Sequence, residues 1–279
     1  MRSSKSLFLA GCLTVLAMAL VGLGCSDDTP TTVVPVEEDN GIESHLEEVS
    51  SQVNAHIDTA LSLAESGLRV ATFIDIGSGD IGDAFMGAVL PDSTKDENYW
   101  IVSWATDLQA GLGTLTIVDS LTYIVGGTLS VTAKDATAMH VKHNYNYVSA
   151  DTTVSFTDVS NTGYLAITGI DGNTATVNGT LGTVINDKDV SAAGTMWNDW
   201  TIETTVTNLT VAKDGSSWTS GCPATGTMVV NVEHRCAENL DVPVTTIWEM
   251  TATFTDGVAD VDVVTGQLST SYENSFCTP

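Results

Sequence analysis

Residues 245–272, TTIWEMTATFTDGVADVDVVTGQLSTSY, decide the fold. Three runs rich in Val, Ile, Thr and aromatic residues (245–255, 258–264 and 267–272) alternate with the period of two that a half-buried strand requires. Asp256-Gly257 and Thr265-Gly266 separate them, and such pairs supply the positive φ that tight hairpin turns need. The same punctuation recurs upstream at Asp171-Gly172, Asn178-Gly179 and Asp214-Gly215, with clear strand patterns at 200–212 and 227–234. No helix-period segment follows Asn98, and roughly ten to thirteen strands are expected, each antiparallel to the next. A meander of that size manages its edges by closing or by folding over itself, which predicts a mainly β domain over 98–279: a curved antiparallel sheet, as a barrel or a sandwich.

Upstream the period changes. Ile42, Leu46, Val49, Val53, Ile57, Ala60, Leu61, Ala64 and Leu68 recur every three or four residues, with Glu43, Glu47, Glu48, Gln52 and Asp58 between them on the opposite side. This predicts one amphipathic helix over 41–68, about seven turns long. Its apolar stripe is broad and uses Ala, where a coiled coil would sustain strict heptads, so the expected partner is a face of the β domain, covering or plugging one opening. Residues 69–97 read as a glycine-rich connection, and 25–40, rich in Asp, Glu, Thr and Pro, as a flexible tether.

The first 24 residues form a third pattern. Arg2 and Lys5 precede an apolar run from Leu7 to Gly24, and Cys25 follows directly before Ser26-Asp27-Asp28-Thr29-Pro30. This segment resembles the signal peptide of bacterial lipoproteins, with Gly22 standing where that family usually has Leu. The resemblance implies a diacylated Cys25 as mature N-terminus and a membrane partner reached through a lipid anchor. An uncleaved transmembrane anchor is the alternative, since about 18 apolar residues reach the lower limit for spanning a bilayer. Both readings put the body in the bacterial cell envelope, facing the periplasm or the exterior, because the positive flank stays inside.

Charge narrows the partners. The chain carries a formal −26, and without residues 1–24 it has 7 basic against 35 acidic side chains, a net −28. Nucleic-acid affinity comes from Lys and Arg contacts that release counterions, so nucleic acid is excluded as a partner. The acids are scattered and lack metal-ligand spacing, which makes them a solubilising surface and predicts no metal.

With Cys25 lipidated and Cys12 removed, Cys222, Cys236 and Cys277 share an oxidising compartment. Cys222 and Cys236 bracket an extended segment too long for a disulfide to span. Four antiparallel strands return the chain to the end where it began, so Cys222 is expected to pair with Cys277, leaving Cys236 as the odd thiol. If Thr265-Gly266 were a bulge in one long strand, Cys236 would be the partner instead.

Catalytic signatures are weak. Gly77-Ser78-Gly79-Asp80-Ile81-Gly82 matches a dinucleotide-binding spacing, between a strand-like 69–76 and a helix-like 84–90, but Pro91 stops that helix early and no βαβ unit follows. No cofactor is expected. Asp75, Asp80 and Asp83 miss the spacing of a calcium loop. His140 and His143 would converge on a helix, but 139–148 reads as a strand, which puts His143, Tyr145 and Tyr147 on one face and His140 and Lys142 on the other. Asp260 and Asp262 read as an ordinary polar outer face, and Glu233-His234-Arg235-Cys236 lacks a second histidine at helical spacing. Trp100, Trp104, Trp197, Trp200, Trp218 and Trp248 suit either core packing or a cavity for an apolar or glycan ligand. The expected function is a non-catalytic binding or structural role in the envelope, with no catalytic residue assigned. The alternative is an extracytoplasmic hydrolase whose carboxylates converge only in the fold.

Overall fold

The computed structural model describes residues 41–73, 92–108, 113–149, 156–191, 194–213, 223–239, 242–266 and 268–275. One helix, α1 (Gly41–Phe73), precedes twelve strands. These are β1 (Asp92–Asp96), β2 (Tyr99–Leu108), β3 (Gly113–Val125), β4 (Thr128–Ser130), β5 (Ala138–Ser149), β6 (Phe156–Thr168), β7 (Thr174–Val190), β8 (Thr195–Ala212), β9 (Pro223–Glu238), β10 (Val244–Thr255), β11 (Val258–Thr265) and β12 (Leu268–Ser275). They form one antiparallel sheet in sequential order, with only β4 off the path, paired to β3. The expected large antiparallel meander with one helix packed on it is the observed architecture.

The sheet is open. β1 and β12 end the strand order, and each is built against association: β1 is short and exposes Lys95, and β12 exposes Ser269, Thr270, Ser271 and Glu273. Curvature follows from two contacts of α1. Leu63 packs where a Cβ on Gly163 of β6 would lie 3.2 Å from its Cδ2, and Asn54 accepts a hydrogen bond from the Tyr272 hydroxyl of β12 at 3.1 Å. On a flat sheet β6 and β12 would stand about 29 Å apart, whereas the helix advances only about 14 Å between those residues. Side chains stand roughly perpendicular to a sheet and do not bridge the difference, so the sheet curls around α1.

The apolar stripe of α1 faces that concavity: Val49, Val53, Ile57, Ala60, Leu61, Ala64 and Leu68 are buried and belong to one hydrophobic cluster with residues from β3 to β11. Gln52, expected on the solvent side, is buried, as are His56 and Leu63, because a helix enclosed by a curled sheet is covered over a wider arc than one lying on a flat face. Asp58 is exposed. Residues 69–73, read as strand-like from their β-branched and aromatic content, complete the last turns of α1.

Three of the turn assignments hold, and Asp214-Gly215 lies outside the described residues. Asp171-Gly172 joins β6 to β7, Asp256-Gly257 joins β10 to β11, and Thr265-Gly266 joins β11 to β12. Asn178-Gly179 is a correction: it lies within β7, where the register with β8 shifts between Val177 and Gly179. There the Asn178 side-chain carbonyl accepts from the backbone N–H of Asn208 at 2.8 Å. A Cβ on Gly179, at φ +157°, would run into the Tyr164 carbonyl oxygen. The strand bends at this point and does not reverse.

Candidate functional site

Register places a set of polar side chains on the concave face, in rows that cross the sheet. In one row Asp119 of β3 stands opposite His143 of β5, which stands opposite Gly163 of β6. In the next, Tyr145, Asn161, Thr183, Ile202, Val232 and Trp248 follow one another from β5 to β10. Beyond it, Trp200 of β8 faces His234 of β9, and a further row brings Asp187 of β7 beside Asn198 of β8.

Each polar group is tied to a neighbour. Asp119 Oδ1 and His143 Nδ1 are 2.6 Å apart, both largely buried. Asn161 donates its amide to Thr183 Oγ1 at 2.6 Å, and Thr183 Oγ1 lies 3.0 Å from His56 Nδ1 on α1. His234 Nε2 lies 3.2 Å from Asn198 Oδ1, with its ring stacked on Trp200. The Thr157 hydroxyl donates to Asp187 at 2.5 Å. Burial pushes the Asp187 carboxyl upward, Thr157 offsets part of that, and the neighbouring Asp189 and Asp199 carboxylates add to it. Burial lowers His56 to about 4, so the imidazole is neutral above that pH.

The chemistry available is that of a cross-linked core. An imidazole held by a carboxylate is the arrangement that orients a general base; opposite it Gly163 is closely packed, since a Cβ there would meet Leu63, Leu181 and His143 Cβ within 3.2–3.6 Å. Sequence reading put His143 on the same face as Tyr145 and Tyr147 and opposite to His140, and the structure does the same. It did not pair His143 with Asp119, nor single out His56, Asn161, Thr183 or Asn198. Only register brings those residues together.

The tryptophans divide. Trp200 and Trp248 are buried on the concave face, and Trp100 packs against the core and donates its indole N–H to the Val131 carbonyl at 2.9 Å. Trp197 stands on the convex side, edge-on to Phe156 and beneath the Lys188 ammonium at 4.9 Å. A single cavity lined by all six is therefore not formed. Asp260 and Asp262 are exposed on one face of β11.

Cys236 is disulfide-bonded, which corrects its reading as the odd thiol. β9 is continuous from Pro223 to Glu238, so the bar on a Cys222–Cys236 bridge stands on an observed strand. Cys25, Cys222, Cys277, Trp218, the segment 77–82 and Asp75, Asp80 and Asp83 lie outside the described residues. Among the described residues no group of His, Cys, Asp and Glu is placed to hold a metal ion, and no helix is long and apolar enough to cross a membrane. Comparison with protein-family models, with curated proteins and with solved structures returns no match for this chain.

Proposed function

We propose that this chain is a lipid-anchored protein of the bacterial cell envelope, facing the periplasm or the exterior, with a non-catalytic binding or structural role. The observation that carries the non-catalytic part is the filled concavity. α1 occupies the inner side of the sheet through a large apolar cluster, and its Leu63 packs against Gly163, the residue directly opposite His143. The lipid anchor rests on the N-terminal pattern ending at Cys25. With the inner side occupied by α1, the reading puts any ligand on the convex face, where half-buried Phe156 and Trp197 flank Lys188 across three adjacent strands. Aromatic faces beside a cation suit the ring faces of a glycan better than an apolar chain.

The test is metabolic labelling with an alkyne fatty acid in a bacterial host, followed by fractionation. The wild-type chain is expected to be labelled and membrane-bound, and Cys25→Ser unlabelled. An unlabelled, soluble wild-type chain would overturn the reading.

A hydrolase is the second reading, favoured by the Asp119–His143 pair alone. Turnover of an ester, glycoside or peptide substrate that His143→Ala abolishes while the fold persists would establish it.

A further inference from the structure

The helix–sheet interface contains one imidazole whose burial and hydrogen bonding favour its neutral form. Asn161 donates its amide to Thr183 Oγ1, so the hydroxyl proton of Thr183 is left to donate to His56 Nδ1. With the Thr183 proton on that side, His56 accepts at Nδ1 and carries its own proton on Nε2, a buried atom with no hydrogen-bond partner among the described residues. The carbonyl oxygen of Asn161, equally buried, also has none.

A second proton would go to Nδ1, where the Thr183 proton already points. Thr183 Oγ1 would then accept from both Asn161 and His56, and its own hydroxyl proton would lose the acceptor it has. The charge would be buried as well, with His56 only 5% exposed.

Among the described residues no carboxylate is paired with that imidazole. Asp119 is engaged by His143, Asp187 on β7 by Thr157, His234 on β9 by Asn198, and Tyr272 on β12 by Asn54. Tyr145 and Tyr147 are the other titratable groups on the concave side of β5, and β6 and β8 present Asn161 and Asn198. On α1 itself Asp58 is exposed, and Glu65 lies more than two turns further along the helix.

We propose that His56 is a proton-operated latch, and that its protonation releases α1 from the concave face while the sheet stays intact. The strands of the sheet are joined to one another by a continuous antiparallel ladder, whereas the contacts described between α1 and the sheet are made by side chains. Releasing it bares an apolar trough that includes Leu165, Val230 and Met250.

The sign follows from the two states. A freed imidazole titrates near 6.5 and the docked one near 4. Docking is thus at full strength above about pH 6.5 and weakens roughly tenfold per pH unit below it, levelling off near pH 4 after a few hundredfold.

Hydrogen exchange of the full chain at pH 7.5 and pH 4.5, expressed as protection factors, reads this directly. α1 peptides are expected to lose about a hundredfold in protection while peptides from β9 and β10 keep theirs, and His56→Gln should abolish most of the difference. Should His56→Gln fail to fold, imidazole NMR of the wild type replaces it: His56 should titrate well below its ordinary range, together with the loss of α1 signals. Three outcomes overturn the proposal: α1 protection independent of pH, sheet and helix lost together, or a pH response unchanged in His56→Gln.

Discussion

The indole of Trp200 and the imidazole of His234 lie face to face, with ring centroids 3.7 Å apart and planes within 6° of parallel. They are directly opposite residues on β8 and β9, and Asn198 holds the outer edge of the imidazole. Both rings are buried, so the pair joins two central strands through area and stacking together. Trp200→Ala should cost about 3–5 kcal/mol in chemical denaturation. A loss below about 1 kcal/mol would mean that the stack has no role in stability.

Leu63 and Gly163 form a close fit between helix and sheet. A methyl group on Gly163 would sit 3.2 Å from Leu63 Cδ2 and 3.4 Å from Leu181 Cγ, tighter than ordinary contact. Gly163→Ala should therefore destabilise by about 1–3 kcal/mol through overpacking. Added to a Leu63→Ala background, the same substitution should cost less, because the obstructing methyl is gone. Equal costs in the two backgrounds, measured as a double-mutant cycle, would show that the contact does not set the docking distance.

Tyr123 is fully buried, and its hydroxyl has no hydrogen-bond partner among the described residues. Burial also pushes its ionisation well above the ordinary tyrosine range. Tyr123→Phe keeps the ring and removes the unpaired oxygen, and it should raise stability by about 1 kcal/mol. A destabilised variant would reveal a partner for that hydroxyl.

Two glycines with positive φ should respond differently to the same change. Gly266, in the β11–β12 turn, has φ +58° and open space around it, so Gly266→Ala should cost about 1–2 kcal/mol from backbone conformation alone. At Gly179 a Cβ would collide with the Tyr164 carbonyl oxygen and approach Leu165 Cα to 2.9 Å. Gly179→Ala should therefore exceed the Gly266→Ala cost severalfold in thermal or chemical melts.

That pair also shows what the sequence could convey. Both glycines follow a turn-forming residue between β-prone runs, and a residue with φ above zero serves a reversal or a bulge equally well. Thr265-Gly266 reverses the chain and Asn178-Gly179 bends it, and only the cross-strand partners distinguish the two. Strand positions were legible because alternation survives inspection one residue at a time. The end of α1 was not: Arg69 to Phe73 carries β-prone residues, and packing overrides such weak local preferences. The polar rows were hidden for another reason. Asp119, Asn161, Thr183 and His234 occupy inward positions in patterns that otherwise read as apolar, and their partners sit on other strands or on the helix.

Cys236 should appear in a disulfide-linked peptide when the oxidised protein is digested without reduction. Cys222 should not be its partner, because Pro223 and Cys236 lie near opposite ends of one strand. Alkylation of Cys236 in the folded, unreduced protein would contradict the first expectation, and a Cys222–Cys236 peptide the second.

Asn54 meets Tyr272 across 218 residues and His56 meets Thr183 across 127, whereas every strand on the main path of the sheet pairs with a close neighbour in the chain. The hairpins can zip up as soon as each pair has emerged, but the helix, made first, finds its seat last. Until the sheet has formed, its greasy side therefore waits without a home, and that interval is when this molecule is most exposed to chaperones, proteases and copies of itself.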